Sequence, residues 1–246
     1  MGPEQVWRAN TANLPAECGE SKLIIYVEFS KEGQQRGGLE QATCLERIAG
    51  EPCLIVNYRD MSMARLRELR PSAVMVGGFG SSFDAFDVRD LSGLDEVFKG
   101  ADSLPILAVC GGHQLLAFCF SRDLRRIKRL HDEPMRRLRP GEPDLYPEYH
   151  PGYFKERGIF PVRIVRAQDP IFSGLPRTIM VTQSHYCEVK TIPRGFALLA
   201  TNANCRIQAM RHRSRSLYGM QFHPEKHQPE YPHGGRLLQN FFRLAR

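Results

Sequence analysis

The chain has 246 residues, of which 42% are hydrophobic and 25% charged, and its formal net charge is +7. This composition is typical of a globular protein with a sizeable core, and no apolar run approaches the ~20 residues that a membrane helix needs. The first twenty residues also lack the apolar stretch of a signal peptide. We therefore predict a cytoplasmic protein with no membrane partner and a flexible leader over residues 1–21.

The first half of the chain alternates predicted strands with predicted helices. Its strands are continuously apolar, which indicates a parallel sheet covered on both faces. The predicted strands are 22–29, 53–58, 72–76 and 105–110. The predicted helices are 37–50, 63–70, 91–100 and 113–120. Ligands of such sheets bind at the carboxyl ends of the strands, where the glycine-bearing loops 77–82 and 110–112 lie.

The second half has a different pattern. Residues 131–158 are rich in Pro and Gly, which indicates an excursion over the surface, serving as a lid or an interface loop. Short strand-like runs between 159 and 222 predict an antiparallel extension of the sheet, and residues 234–246 predict a closing amphipathic helix. The sequence thus predicts one α/β domain over 22–246, mostly parallel at its centre, with an insertion at about 125–158.

Two compositional features leave alternatives open. The basic stretch 122–139 can bind nucleic acid or a nucleotide, but without interleaved aromatic residues a solvated helix face is favoured, and nucleic acid is not an expected partner. The seven cysteines are scattered without a CxxC pair, which favours a reducing compartment over a disulfide framework. A His-rich segment over 223–233 has the residue types for a metal, but its prolines break any aligning helix, so no metal is predicted.

The stretch LPILAVCGGHQLL, residues 104–116, is the strongest chemical signal in the sequence. A strand that turns sharply into a helix exposes its turn residue and needs small neighbours, which Gly111 and Gly112 supply. The start of a helix also favours a thiolate, so Cys110 is a candidate nucleophile. The alternative is a buried cysteine that packs as a small hydrophobe.

Two further stretches complete a candidate site. In LYGMQFHPE, residues 217–225, an extended backbone places His223 and Glu225 on one face, where His223 can act as a base that Glu225 orients. In VMVGGFGSS, residues 74–82, glycines after a strand let backbone N–H groups form an oxyanion hole. Neither phosphate-binding glycine pattern, GxxxxGK[ST] or GxGxxG, is present.

Together the three stretches resemble the class I glutamine amidotransferases, whose triad is Cys-His-Glu and whose fold is flavodoxin-like. The resemblance covers roughly residues 22–245 and is weakest over 125–158. It implies Cys110 as nucleophile, His223 as proton shuttle and Glu225 as its orienting carboxylate. It also implies no cofactor, an oxyanion hole from the N–H groups of Gly78 and Gly111, and a set of substrate-binding positions. These are Phe79, Gln114, Ser184, His185 and Tyr186.

The sequence departs from the family pattern at three positions. Ala108 replaces the first glycine of the G-x-C-x-G-x-Q stretch, Phe79 replaces the proline of GGPGS, and Tyr186 stands where the family often has glycine. None of these changes removes a catalytic group. Phe79 and Tyr186 are placed to reshape the glutamine pocket.

The resemblance implies a glutaminase that makes glutamate and ammonia through a γ-glutamyl thioester. The family-like region nearly fills the chain and no ATP-binding segment is recognised, so the expected ammonia acceptor is a separate synthetase. A second hypothesis keeps the chemistry but takes a γ-glutamyl conjugate as substrate. A third is a non-catalytic regulatory role, against which the intact triad argues.

Overall fold

The computed structural model describes residues 22–31 and 37–245, and the predicted leader over 1–21 lies outside them. Nine strands of these residues form a single sheet in the order β2-β1-β3-β4-β9-β8-β7-β5-β6. The first four strands are β1 (Ile24–Glu28), β2 (Cys53–Asn57), β3 (Ala73–Val76) and β4 (Ile106–Val109). The other five are β5 (Glu156–Ile164), β6 (Thr178–His185), β7 (Phe196–Thr201), β8 (Ala209–His212) and β9 (Leu217–Met220).

The parallel half of the sheet contains β2, β1, β3, β4 and β9. Crossover helices connect its strands, and each begins or ends close to the predicted residue. The five α-helices are α1 (Leu39–Ala49), α2 (Met63–Leu69), α3 (Ser92–Gly100), α4 (Gly111–Ser121) and α5 (His233–Arg243). At the end of α1, Gly50 takes a left-handed φ of 71° and donates its N–H to the Glu46 carbonyl, which is the predicted glycine stop.

Both faces of the parallel half are covered, as its continuous apolar strands predict. Alternate residues of β1 enter two separate cores: Ile25 and Val27 pack with residues of α3 and α4, whereas Ile24 and Tyr26 pack with residues of α1 and α5. Because strand side chains alternate between faces, a strand buried on both sides must be apolar at every position. The predicted α/β fold is therefore confirmed.

The antiparallel half of the sheet contains β8, β7, β5 and β6, which pair antiparallel beyond β9. Strand β6 alternates buried and more exposed residues along its length, as a half-buried strand does. It is last in the sheet order, yet Thr182 forms an antiparallel bridge with His223, just after β9. The antiparallel half therefore curves back toward the carboxyl end of the parallel half, where the predicted site lies.

The basic stretch 122–139 corrects one prediction. It contains no α-helix, only a short 3-10 turn at Leu124–Arg126, so the favoured solvated helix face is wrong. Several of its arginines are instead paired: the Arg136 guanidinium meets Glu142 with two bonds of 2.7 Å, and Arg122 lies 3.3 Å from Glu133. Isolated bridges at Pro134 and Arg137 hold the rest of this irregular segment against the molecule.

None of the helices in residues 22–31 and 37–245 is long and apolar enough to cross a membrane.

Candidate active site

The Cys110 backbone has the strained geometry of a nucleophile elbow. Strand β4 ends at Val109 and α4 begins at Gly111, so the whole reversal falls on Cys110, at φ 52° and ψ −111°. Such a conformation in a non-glycine residue costs about 1–3 kcal/mol and persists only where the surroundings enforce it. Here the Cys110 N–H donates to the Met220 carbonyl at 2.8 Å, and its carbonyl accepts from the Gln114 N–H at 3.1 Å.

His223 lies beside this cysteine and is paired with Glu225. The His223 Nδ1 and the Glu225 Oε1 are 2.6 Å apart, both side chains are buried, and His223 also forms a side-chain hydrogen bond with Cys110. Burial alone lowers the pKa of His223, but the charge of Glu225 and then that of Cys110 outweigh it and raise this pKa to about 10. The imidazole is therefore held as a cation next to the sulfur.

The route by which Glu225 reaches His223 differs from the predicted one. Strand β9 ends at Met220, and residues Pro224–Lys226 form a 3-10 turn rather than an extended segment. Proline fits the first position of such a turn because its φ is already near −65°. The turn, not strand alternation, brings the carboxylate back onto the imidazole. The Thr182 carbonyl fixes its start by accepting the His223 N–H at 2.8 Å, and the Thr182 hydroxyl donates to the Lys226 carbonyl.

Gly78 and Gly111 both border the sulfur. A Cβ placed on Gly78 would lie 2.9 Å from the Cys110 Cβ and 3.3 Å from the His223 Cε1, so only glycine fits there. Among the described residues, neither the Gly78 N–H nor the Gly111 N–H donates a hydrogen bond within the chain. Two unpaired N–H groups beside a nucleophile are what an oxyanion hole requires.

The Phe79 ring packs against the elbow and does not block it. A Cβ on Gly111 would lie 2.6 Å from the ring, which shows how closely the two are in contact. The same ring forms aromatic contacts with Phe29, Phe83 and Phe86, at centroid distances between 4.7 and 5.0 Å. Phe79 is thus a wall of the site anchored in the core. Ala108 is fully buried in β4 opposite Gly219, so its methyl group is accommodated.

His113 and Gly219 form a contact that links the elbow to β9. The His113 side chain is fully buried, and its Nε2 lies 3.2 Å from the Ile207 carbonyl. Burial lowers the pKa of His113 to about 3, so the ring is neutral and Nε2 is the donor. A Cβ on Gly219 would lie 2.4 Å from the His113 Nδ1. The glycine of YGMQFHPE therefore makes room for the histidine of CGGHQ.

The predicted substrate-binding residues also meet at this site. The Gln114 amide nitrogen donates to the Cys187 carbonyl at 3.0 Å and to the Gln221 Oε1 at 3.2 Å, so its two N–H donors are occupied and its oxygen is the atom left for a substrate. The Ser184 carbonyl lies 3.7 Å from the Cys110 sulfur. The backbone at the end of β6 therefore runs directly past the nucleophile.

The His185 side chain points away from the sulfur into a buried polar cluster centred on Glu156. One Glu156 oxygen accepts from His185 and Gln208, both at 2.9 Å, and the other accepts from Asn202 and Asn204. Burial raises the pKa of this carboxyl, but these hydrogen bonds, that of His185 first, lower it more. Glu156 was not among the predicted residues, because its partners come from two distant segments. It fixes the end of β6, and with it the backbone of Ser184 and Tyr186.

A cavity of about 940 Å³ joins all of these residues. The predicted triad, both oxyanion glycines and all five predicted substrate-binding residues line it. It also contains charged and aromatic lining residues that the sequence did not indicate: Glu28, Asp132, Glu148, Tyr149, His150, Arg157 and Lys226. Most of these come from the insertion, where no periodicity or motif announced them.

Comparisons with known proteins agree with this geometry. The family model for glutamine amidotransferase class-I matches residues 54–245, which is most of the chain. This chain belongs to the class-I glutamine amidotransferase family. The predicted resemblance is therefore confirmed.

Within this family, the chain is similar to proteins named as the glutamine-hydrolysing subunit of GMP synthase. The protein from Pyrococcus furiosus is 34% identical over 180 residues, covering 73% of this chain and 79% of the relative. The protein from Pyrococcus abyssi is 31% identical over 182 residues, with the same two shares. A crystal structure of the corresponding GMP synthase protein from Thermoplasma acidophilum superimposes with a TM-score of 0.63 at 25% identity, covering 91% of this chain and 94% of that one.

Proposed function

We propose that this chain hydrolyses the side-chain amide of glutamine with Cys110 as nucleophile. The observation that carries the proposal is the strained Cys110 beside a histidine that Glu225 holds as a cation, facing two unpaired backbone N–H groups. Acyl transfer by a thiol needs just these parts: an exposed sulfur, a proton donor for the leaving group and donors for the oxyanion. We also propose that residues 22–246 act as one domain, with 125–158 as its insertion.

The reaction follows from these positions. The Cys110 thiolate attacks the amide carbon, and the N–H groups of Gly78 and Gly111 hold the oxyanion. His223 protonates the nitrogen, and ammonia leaves as the C–N bond breaks and a thioester remains on Cys110. His223 then takes a proton from water, whose oxygen attacks the thioester carbon. The C–S bond breaks, glutamate leaves and the thiolate is regenerated.

The substrate positions are assigned from the same cavity. The free oxygen of Gln114 can accept a hydrogen bond from the substrate, and Phe79 supports its aliphatic chain. The backbone of Ser184, His185 and Tyr186 faces the amino-acid end. Lines of support are the contact of the Ser184 carbonyl with Cys110 and the fixed position of His185 on Glu156.

The ammonia is proposed to pass to a separate synthetase in the cytoplasm. The similar archaeal proteins are named as the glutamine-hydrolysing part of a GMP synthase, which makes a GMP synthase partner the first one to test. The cytoplasm is supported by the six free cysteines of the described residues. The insertion over 125–158, which borders the cavity mouth, is the proposed contact surface.

The size of the cavity favours a second candidate substrate, a γ-glutamyl conjugate. A volume of about 940 Å³ lies near the top of the ~300–1,000 Å³ that hold drug-sized ligands, and it exceeds the needs of one amino acid. Beside it, the Tyr186 ring stacks on Tyr149 and contacts Tyr146. Such rings can pack a leaving group larger than ammonia.

Ammonia and amine release distinguish these candidates. The chain is assayed alone and with the synthetase component of a GMP synthase, first on glutamine and then on γ-glutamyl amides of increasing size. Turnover of glutamine that Cys110→Ser abolishes supports the proposal. Cleavage of a conjugate without glutamine turnover under either condition moves the assignment to a γ-glutamyl hydrolase. Equal function of the wild type and Cys110→Ser in the complex would leave only a regulatory role.

A further inference from the structure

A mixed set of metal-binding side chains lies in the cavity wall, apart from the triad. The ligand atoms of Asp132, His150 and Cys187 lie within 4.8 Å of one another, and all three residues line the cavity. Asp132 and His150 belong to the insertion, whereas Cys187 follows β6. We propose that these three side chains bind a divalent transition metal ion of the zinc class. The triad does not use any of them, and glutamine hydrolysis does not require the ion.

The donor set is what selects this class of ion. Zinc binds thiolate sulfur, imidazole nitrogen and carboxylate oxygen in tetrahedral sites, often with three protein ligands and one open position. Magnesium and calcium prefer oxygen ligands alone, so a set with one sulfur and one nitrogen disfavours them. The fourth position of the ion would face the cavity, since all three donors lie in its wall.

Neighbouring groups already orient two of the donors. One Asp132 oxygen, Oδ1, accepts the Phe83 N–H at 3.0 Å, and the other lies 3.5 Å from the His150 Nε2. That distance is long for a charge-assisted hydrogen bond, so the pair is close without being tightly bonded. The His150 carbonyl accepts from the Lys155 Nζ at 3.2 Å, which fixes its backbone. Outer hydrogen bonds of this kind hold metal ligands in place.

The backbone of the third donor is held by the glutamine site itself. The Cys187 carbonyl accepts from the Gln114 amide at 3.0 Å and lies 2.9 Å from the His185 Nδ1. An ion bound at these three side chains would therefore join the insertion to the segment that contacts Cys110. Because it would bind the folded state only, it would also raise the melting temperature.

The test uses Co²⁺ as a spectroscopic probe, in a Cys110→Ser background so that the catalytic thiol cannot ligate it. We expect one equivalent to bind with a thiolate-to-cobalt absorption band, and Zn²⁺ to displace it. Adding Cys187→Ser should remove the band, and adding His150→Ala should weaken binding by at least about tenfold. Melting curves in EDTA check that each variant is folded.

Two matched controls locate the ion. Cys119→Ser changes a buried cysteine outside the cavity, and His227→Ala changes a histidine of the His-rich segment. Both should bind Co²⁺ as the parent variant does, with the same band and the same rise in melting temperature. Retention of the band in Cys187→Ser, loss of it in Cys119→Ser or His227→Ala, or absence of stoichiometric binding would overturn the proposal.

Discussion

The parallel and antiparallel halves of the sheet contribute different things to the site. The parallel half supplies the groups proposed to react, because β3, β4 and β9 end side by side at Gly78, Cys110 and the His223 turn. The antiparallel half and the insertion supply the surroundings: the Ser184 carbonyl, Tyr186, Tyr149 and the bridge from Thr182 to His223.

The difference lies in how each region is held. Short-range strain and close contacts fix the parallel half, where glycines at 78, 111 and 219 leave no room for a Cβ. Side-chain networks such as the Glu156 cluster, and ring stacking such as Tyr149 on Tyr186, hold the other region. We therefore expect changes in the parallel half to remove catalysis or stability, and changes in the other half to alter substrate preference.

The largest effect is expected for Cys110→Ala. Without the sulfur no thioester forms, so ammonia release from glutamine should fall to the background rate, while binding of radiolabelled glutamine persists. Cys119→Ser, in the same helix region but buried in the core, is the control and should retain activity. Substantial residual turnover by Cys110→Ala would contradict the division of labour between the two halves.

Next is Glu225→Gln, which should lower kcat by roughly 10²–10⁴-fold because the imidazole loses the partner that orients and charges it. The pKa of His223, followed by NMR, should fall below its value of about 10 in the wild type. A raised folded-state pKa stabilises the protein below the unfolded value of about 6.5, and this contribution is lost as pH rises through about 10. The wild type should therefore melt above the variant at pH 6, and the difference should narrow by pH 10.5.

Gly219→Ala tests close packing within the parallel half. Its Cβ would lie 2.4 Å from the buried His113 Nδ1, so the overpacking should cost about 1–3 kcal/mol in the free energy of unfolding. Gly80→Ala is the matched control, since nothing lies within 4 Å of its Cβ, and it should leave denaturant unfolding almost unchanged. If Gly219→Ala unfolds like Gly80→Ala, the elbow is not fixed by this contact.

The smallest effect is expected in the other region, for Tyr149→Ala. Loss of the stack on Tyr186 should change KM less than tenfold for glutamine, and more for bulky γ-glutamyl amides, with kcat almost unchanged. Tyr231→Ala removes a comparably exposed tyrosine that does not line the cavity, and its steady-state kinetics should match the wild type. A loss of kcat in Tyr149→Ala would show that the surroundings also take part in the chemistry.

The same division explains what the sequence could predict. Cys110, Gly78 and His223 lie in local motifs, because strain and close approach demand particular residues at neighbouring positions. Continuous apolar strands likewise reveal a sheet that is buried on both faces. The parallel half, its helices and the residues of the proposed triad were therefore predictable from the sequence alone.

The rest depends on contacts between distant segments. The 3-10 turn at Pro224 replaces the expected extended backbone at Glu225, and the expected helix face over 122–139 is an irregular segment held by long-range bridges. Glu156 binds residues that lie 29 to 52 positions away along the chain, and no periodicity records such a cluster. Asp132 and His150 likewise reach the cavity only through the path of the insertion.

Covalent labelling with a glutamine-mimicking electrophile tests the central claim, that Cys110 is the nucleophile, most directly. The modified peptides are identified by mass spectrometry in the wild type and in Cys110→Ser, with and without excess glutamine. We predict a single modification on Cys110 that glutamine suppresses and that Cys110→Ser lacks. Modification of Cys119 or Cys187 instead, or equal labelling of Cys110→Ser, would contradict this assignment.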